Sequence, residues 1–489
     1  MRYTPKRMKG KEPNHNKKRK SNKKDMIFKI LALIFIILTI IFYCSVTGLN
    51  MLPTSYVVVF TIIELIFTIL IVVGLGKKHK TYKLNIVCLI IALLVSGVYL
   101  YVAKYANATK DFLGSMLQEV QETEEYYVVV KDESEYNKLE DLYGEKIYTF
   151  QIEDDVKADL ENQIEITFET GLNLTDLGEN LLEESIDAIL ISSSQYNILD
   201  EEIENFKDNT KIIYTAHHTI EKVENTSSEN SKYTISNGAF NIYISGIDTS
   251  GSISNVSRSD ANILVTVNTN THEILLTSIP RDYYVTLHSK GAKDKLTHSG
   301  LYGVNETVTT VEDLLDTEIN YYVRVNFTTV IKLVDVLDGI QVYSDYDFST
   351  SGYHFSQGYN YLNGEQALAF SRERHSFASG DNQRVKNQQA VIEAIINKVL
   401  SAQLFTKYTS ILDSLEGSFQ TNITEAEINS VVQNQLSNMS AWKIYNNSLV
   451  GSGSYGPTYS LGNVNSYIML PDSASVSQAK EKINEVLGE

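Results

Sequence analysis

Arginine is scarce beyond the apolar N-terminal region of this chain, yet one short stretch reads Ser371-Arg372-Glu373-Arg374, then Gly380-Asp381-Asn382-Gln383-Arg384, then Gln388-Gln389. Guanidinium forks grouped beside carboxylates are suited to gripping a polyphosphate, because each planar fork can give two parallel hydrogen bonds to phosphate oxygens. Upstream, Gly246-Ile247-Asp248, Ser257-Arg258-Ser259-Asp260 and Pro280-Arg281-Asp282 add two more arginines. Asp248 and Asp260 are carboxylates of the kind that bind Mg2+ or Mn2+, hard cations that accept one or two carboxylates and complete their shell with phosphate oxygens and water. Taken singly, either aspartate could equally cap a turn. Together the set has the composition of a pyrophosphate site.

Local elements must bring these groups to one place. Asp248 and Asp260 each follow a strand-like segment, and Arg258, two residues before Asp260, projects on the same side of an extended chain. Arg281 follows a strand and Pro280, at the kind of strand end where α/β proteins place ligands; its alternative is a surface ion pair with Asp282. Arg372 and Arg374 share a side if extended, with Glu373 turned outward to solvent. Asp381 opens a helical pattern through Val385, Ile392, Ile396 and Val399 and is a candidate cap. Arg384 and Gln388, four apart, share one face of its first turns, near amides that favour anions.

The wider pattern is α/β. After a polar stalk over 104–125, short apolar runs such as Tyr127-Val128-Val129-Val130 and Ala188-Ile189-Leu190-Ile191 alternate with helical stretches, predicting a small accessory α/β domain over 126–222. A polar linker from Glu221 to Lys232 precedes a second α/β domain over 238–489. Its strands are expected at Asn241–Ile247, Asn262–Val267, Glu273–Ile279, Ile319–Val325 and Ile340–Tyr343, and its helices at Glu306–Leu315 and Thr328–Leu337. Asn446 to Asn465, rich in Gly, Ser and Tyr, reads as loop before a last strand at Tyr467–Pro471 and a closing helix.

Three apolar runs, roughly 26–46, 55–75 and 84–103, each have about the ~20 residues a bilayer-spanning helix needs. Lysines and arginines crowd residues 1–25 and the second interspan loop (Lys77, Lys78, Lys80, Lys83), whereas the first loop, around Leu49–Thr54, is uncharged. By the positive-inside rule the basic tail, residues 1–25, is cytoplasmic, 26–103 carries three spans, and all that follows lies outside the cell. Glu64, near the middle of the second span, calls for a partner or a proton. Of 42 basic and 60 acidic residues, 26 and 57 follow residue 103. So acidic an exterior repels nucleic acid and other polyanions, and phosphate recognition there requires a local arginine pocket. Both cysteines, Cys44 and Cys88, fall in predicted spans, which excludes disulfides and thiolate metal sites from the exterior.

With these residues in place, the segment from about Gly238 to Ser401 resembles the LytR-CpsA-Psr family of cell-envelope glycopolymer ligases. The resemblance rests on Gly246-Ile247-Asp248, Ser257-Arg258-Ser259-Asp260, Ile279-Pro280-Arg281-Asp282, Lys295-Leu296-Thr297-His298-Ser299-Gly300, Ser371-Arg372-Glu373-Arg374 and Gly380 to Gln389. The three spans and additional α/β domain resemble its streptococcal capsule-associated branch. It implies a multi-pass protein of a Gram-positive envelope, with an α/β/α catalytic domain around a mixed sheet. It also implies a reaction in which a glycopolymer on a polyprenyl pyrophosphate carrier is transferred, as its sugar phosphate, to a peptidoglycan hydroxyl. Asp248 and Asp260 would then hold Mg2+, while Arg258, Arg281, Arg372, Arg374 and Arg384 stabilise equatorial charge. Asp381 would orient an arginine or the attacking hydroxyl, and Gln388 would donate a hydrogen bond. The general base is open among Asp260, Asp381 and Asp282, and the lipid needs an apolar tunnel between sheet and helices. Asn387 stands where relatives carry a basic residue, which would loosen one phosphate contact; Ser371, in place of alanine, is neutral. Two other functions use the same residues: a non-catalytic sensor of capsule synthesis that signals to capsule-assembly machinery, and a polyprenyl pyrophosphate hydrolase with water as acceptor.

Overall fold

The computed structural model describes residues 23–77, 82–116, 123–219, 235, 238–247, 253–378, 381–399, 417–438 and 441–488. The chain forms two units, 1–107 and 108–489. In the first, α1 (Lys23–Thr47), α2 (Thr54–Gly76) and α3 (Lys83–Met116) carry apolar runs long enough to cross a membrane. Such sequences leave leucine and isoleucine exposed all round, because lipid and not water is their solvent. Glu64 has the partner its position demands: the Tyr99 hydroxyl donates to Oε2 at 2.6 Å. Of the stalk expected over 104–125, residues 104–116 continue α3, 117–122 lie outside the described residues, and 123–125 belong to the strand that follows.

The second unit contains two sheets. The first is built from β1 (Thr123–Lys131), β2 (Lys146–Thr149), β3 (Thr167–Thr170), β4 (Ala188–Ser192) and β5 (Thr210–Thr219), in the order β3-β2-β4-β1-β5. Parallel pairing of β2 with β3 and β4 requires crossovers, supplied by α4 (Asp154–Glu161) and α5 (Leu174–Leu182). α6 (Ser193–Glu202) follows β4 directly, started by a capping box in which Ser192 and Gln195 exchange side chain-to-backbone hydrogen bonds. Alternation divides the core. Val128, Val130 and Leu190 pack on one face with Val156 and Leu160; Val129, Ile189 and Ile191 pack on the other with Leu177, Leu181 and Leu199.

The second sheet comprises β6 (Ala239–Ile247), β7 (Ser259–Asn268), β8 (Glu273–Ile279) and three more strands. β9 (Tyr284–Thr286) and β10 (Lys293–Lys295) make a separate ribbon leading into α7 (Leu296–Ser299) and α8 (Val304–Leu315). β11 (Tyr321–Asn326) adds in parallel to β6 and leads into α9 (Phe327–Val336). β12 (Ile340–Ser344), β13 (Phe348–Thr350), β14 (Tyr353–Phe355) and β15 (Gly358–Leu362) form two hairpin ladders before α10 (Gly364–Arg372) and α11 (Asp381–Val399). β16 (Phe419–Thr421) and β17 (Lys443–Ser448) close the edges, giving the mixed order β16-β11-β6-β7-β8-β17.

Both faces of this sheet are covered. Tyr243, Leu264, Leu275 and Tyr322 pack under α8 and the closing helix Ser473–Leu487, whereas Phe240, Ile263, Val265 and Tyr321 pack on the other side with Ile392 of α11 and Trp442. The arrangement is α/β/α. One expectation fails: Asn446–Asn465 is mostly sheet, since β17 runs to Ser448 and β18 (Gly451–Thr458) pairs antiparallel with β19 (Val464–Pro471). Its glycines serve packing as well as turning. A Cβ on Gly451 would lie 2.4 Å from the Leu470 carbonyl oxygen, and one on Gly456 2.8 Å from Ile468 Cδ1.

Candidate active site

Alternation along three adjacent strands creates a shallow apolar floor. Ile244 and Gly246 of β6, Ala261 and Ile263 of β7, and Val323 and Val325 of β11 all face one cavity of roughly 450 Å³. A Cβ on Gly246 would meet the Cβ of Ala261 at 2.8 Å, so glycine is what lets these two strands face the cavity side by side. Its other walls are helical: Val330 and Leu333 of α9, Leu368 of α10, and Val391, Ile392 and Ile395 of α11, with Phe419 of β16. Asp260, Arg281, Arg372, Arg374, Arg384 and Gln388 line it as well. An elongated ligand with an apolar body and an anionic head matches such a lining.

Asp260 is the second residue of β7, at the start of a strand and not after one as the sequence pattern implies. Nη1 of Arg281 donates to both its oxygens at 3.1 Å, and Thr297 Oγ1 donates to Oδ1 at 2.8 Å. Burial pushes this carboxyl up, but Arg281 foremost, then Arg258 and Arg384, outweigh it and hold the group well below the usual carboxylate range. A carboxylate so held is a poor proton acceptor at neutral pH. Arg281 sits just beyond β8, as expected, but is no surface residue. Its side chain is buried, and Asp282, also buried, stands 3.8 Å from its Nε as a secondary partner.

Arg372 ends α10 and Arg374 follows it, so the two reach the cavity from a helix terminus and not from an extended run. Glu373 between them is buried, contrary to the expectation of a solvated charge, and its Oε1 accepts from the Ser376 amide at 2.8 Å. Burial raises its carboxyl, yet hydrogen bonds from Thr350, Ser376 and His375 prevail and lower it. Arg384 and Gln388 do project from one face of α11 into the cavity. Asn387, on another face, gives its amide to the Phe370 carbonyl at 3.2 Å, tying α11 to α10, and is not among the cavity-lining residues. Gln389 donates to the Asn447 carbonyl at 2.9 Å and thereby ties α11 to β17.

α11 begins at Asp381, whose side chain lies outside the described residues, as does Asp248 altogether. Among the described residues no three His, Cys, Asp or Glu side chains converge as a metal cluster.

Arg258 is placed differently from its four companions. Its buried side chain donates from Nη1 to Oε2 of Glu201 at 2.6 Å, and Glu201 itself lines the cavity from the end of α6. Sequence reasoning missed this residue and also His375, a cavity-lining neighbour whose Nε2 accepts from Arg374 Nε at 3.3 Å. Nothing in the acidic run Asp200-Glu201-Glu202 marks its middle member, whereas His375 could have been suspected from its place next to Arg374.

The chain is similar to known proteins. Residues 203–484 match the LytR_cpsA_psr family. The chain is 34% identical over 213 residues to the polyisoprenyl-teichoic acid–peptidoglycan teichoic acid transferase TagU of Bacillus cereus, covering 43% of this chain and 69% of that protein. Against TagU of Bacillus subtilis it is 39% identical over 186 residues, 38% of this chain and 60% of the relative. The crystal structure of B. subtilis TagU aligns over 51% of this chain and 97% of its own with 32% identity and a TM-score of 0.40.

Proposed function

The chain belongs to the LytR_cpsA_psr family, and we propose that it is a membrane-anchored phosphotransferase acting on polyprenyl pyrophosphate-linked glycopolymer, capsular or teichoic-acid-like, with peptidoglycan as acceptor. The observation that carries this is the lining of a single cavity by four arginines, Asp260 and Gln388 together with an apolar floor and helical walls. An isoprenoid would occupy the apolar part and its diphosphate the arginine end.

The reaction is a displacement at phosphorus. The acceptor hydroxyl oxygen bonds to the glycan-proximal phosphorus, the bond from that phosphorus to the bridging oxygen breaks, and polyprenyl phosphate leaves with the electron pair; the hydroxyl proton passes to a base. Charge on the equatorial and leaving oxygens is matched by Arg281, Arg372, Arg374 and Arg384, held in place before substrate arrives. Asp260 fixes Arg281 through its two oxygens. Gln388 offers a hydrogen bond, and Asp381 or Asp282 takes the proton.

A divalent cation suits this donor set in one respect: Asp260 remains ionised at any physiological pH. Mg2+ or Mn2+ on Asp260, with Asp248 as second carboxylate, would neutralise charge on the diphosphate. The lysine distribution around the spans supports an outward-facing site, where both lipid carrier and peptidoglycan are met.

The test is direct. Full-length protein in vesicles is given a polyprenyl pyrophosphate glycan, Mg2+ and peptidoglycan, and the wall fraction is analysed for a phosphodiester-linked glycan. Appearance of that product, and its loss in Arg281→Ala and Arg374→Ala, supports the reading. Release of soluble glycan phosphate in place of attachment would establish hydrolysis; no turnover with intact lipid binding would establish the sensor.

A further inference from the structure

The family-matched segment begins at residue 203, yet the arginine site is not contained within it. Glu201, on the last turn of α6, belongs to the first α/β layer and reaches Arg258 on the loop that enters β7, 57 residues further along the chain, at 2.6 Å. Arg258 cannot settle its charge in water, because only 5% of its side chain is exposed. Glu201 is 46% exposed and lines the same cavity as Arg281 and Arg384. A carboxylate of the first layer therefore stands at the edge of the proposed diphosphate position.

The contact does not depend on two long side chains finding each other by chance. Ser194 Oγ, on the first turn of α6, donates to the carbonyl of Val256, two residues before Arg258. The backbone of the same loop is sewn to β1: Thr123 N donates to the Ser254 carbonyl and Val256 N to the Thr123 carbonyl, both at 2.9 Å. Gln195 holds α6 from the other side by donating to the Phe150 carbonyl at 2.9 Å. Next to Glu201, Glu202 stands 3.7 Å from Lys295, the residue that starts the Lys295–Gly300 segment under Asp260. Both ends of the Glu201–Arg258 pair are thus anchored by backbone before the charges meet, which keeps the entropy cost of ordering them low.

We propose that Glu201 is a positioning residue of the transfer site, through which the first α/β layer orients the Arg258 guanidinium. By taking Nη1, Glu201 fixes the direction in which that guanidinium points. The role rests on the proposed transfer reaction. It also gives the additional α/β layer a function at the site itself: an element outside the matched family segment sets one of the arginines inside it.

Charge alone predicts the opposite behaviour. Removing a carboxylate from the edge of an anion site strengthens ground-state binding of a diphosphate, whereas loss of positioning slows the chemical step. Full-length Glu201→Ala and Glu201→Gln proteins, each with an unfolding temperature within a few degrees of the wild type, are assayed in vesicles for transfer of a polyprenyl pyrophosphate glycan to peptidoglycan. The expected result is a kcat lower by roughly tenfold or more in Glu201→Ala, with KM not raised and partial recovery in Glu201→Gln, which keeps the acceptor oxygen. In an Arg258→Ala background, loss of Glu201 should cost nothing further. A kcat within twofold of the wild type in Glu201→Ala, or a loss that adds in full to that of Arg258→Ala, would overturn the positioning role while leaving the transfer reading intact. A wild-type protein that transfers nothing overturns the transfer reading instead, and this role with it.

Discussion

A single nitrogen of Arg281, Nη1, serves both oxygens of Asp260 at 3.1 Å. This is not the two-nitrogen fork by which arginine usually clasps a carboxylate, and Arg281 also lines the cavity. The strand end beyond β8 supplies Arg281 and the start of β7 supplies Asp260, while Thr297 of α7 donates to the carboxylate from a third element. Three separate pieces of backbone thus converge on one carboxylate, which holds Arg281 in place before any ligand binds.

Truncating Arg281 should therefore injure two properties that a second substitution separates. Arg281→Ala strips a buried carboxylate of its main counter-charge and is expected to cost about 2–4 kcal/mol of stability and to abolish transfer. Adding Asp260→Asn removes the stranded charge. Thermal unfolding of the double variant should recover most of the loss while its transfer activity stays at background; recovery of activity as well would show that Arg281 acts only structurally.

Gly300 lies beneath the loop that carries Arg258. A Cβ at this position would sit 2.4 Å from the Ser257 carbonyl oxygen and 2.8 Å from the Ser259 amide nitrogen, both backbone atoms that cannot swing aside. Gly300→Ala should cost about 1–3 kcal/mol and displace Arg258, lowering kcat more than it raises KM. Gly291→Ala is the matched control, since its Cβ would meet nothing within 4 Å although its φ of +60° is strained. Equal loss of transfer in both variants would count against a specific role for the contact under Arg258.

Asp294, buried beneath the same segment, makes stability sensitive to acid. Its Oδ1 meets Nδ1 of His298 at 2.7 Å and accepts from the Lys295 amide, while Oδ2 accepts from the Ser460 amide and hydroxyl at 2.7 and 2.6 Å, joining the turn between β18 and β19 to β10 and, through His298, to α7. Burial raises this carboxyl, but His298 and Ser460 together lower it below its ordinary value. A group whose folded-state value is depressed stabilises the fold fully above the unfolded value of about 3.9 and loses that contribution as pH falls through the folded one. Asp294 thus adds no slope between pH 7 and about 5, and a decline below about pH 4. Unfolding midpoints measured from pH 7 to 3 should show that decline in the wild type and a shallower one in Asp294→Asn, which starts about 1–3 kcal/mol lower. An identical acid slope in both would remove Asp294 from the account.

Much of this was legible beforehand, for identifiable reasons. The turn-forming run Asn268-Thr269-Asn270-Thr271-His272 marked Glu273–Ile279 as the return strand of a hairpin, and β8 spans those residues and pairs antiparallel with β7. Arg384 and Gln388 could be assigned a shared direction from helical spacing alone. Other features depend on what the chain meets only after folding. Gly451 and Gly456 read as turn formers, whereas the close approach of the Leu470 carbonyl and the Ile468 side chain across the β18–β19 ladder is what demands them. Glu373 looks like any charge between two arginines until the Ser376 amide folds back onto it. Glu201 was out of reach for the same reason: its partner lies in another layer, and an acidic helix end beside solvent is what an ordinary surface looks like.

The apolar part of the cavity makes a prediction that depends on chain length and so separates lipid binding from general damage. Leu333 of α9 faces the floor strands and is not part of the arginine cluster. Leu333→Trp places a larger ring in a space of roughly 450 Å³ and should compete with an isoprenoid for it. Each methylene kept out of an apolar site forfeits about 0.8 kcal/mol, so exclusion of even two or three weakens binding by roughly tenfold or more. With a long polyprenyl pyrophosphate glycan, KM should rise by about that factor at little change in kcat, because the diphosphate still meets the same arginines once bound. With a water-soluble analogue carrying a single prenyl unit, too short to fill the apolar part of the cavity, wild type and variant should perform alike. If both substrates suffer equally, the tryptophan has disturbed the arginine end and the cavity is not the lipid's path; if neither does, the isoprenoid lies elsewhere.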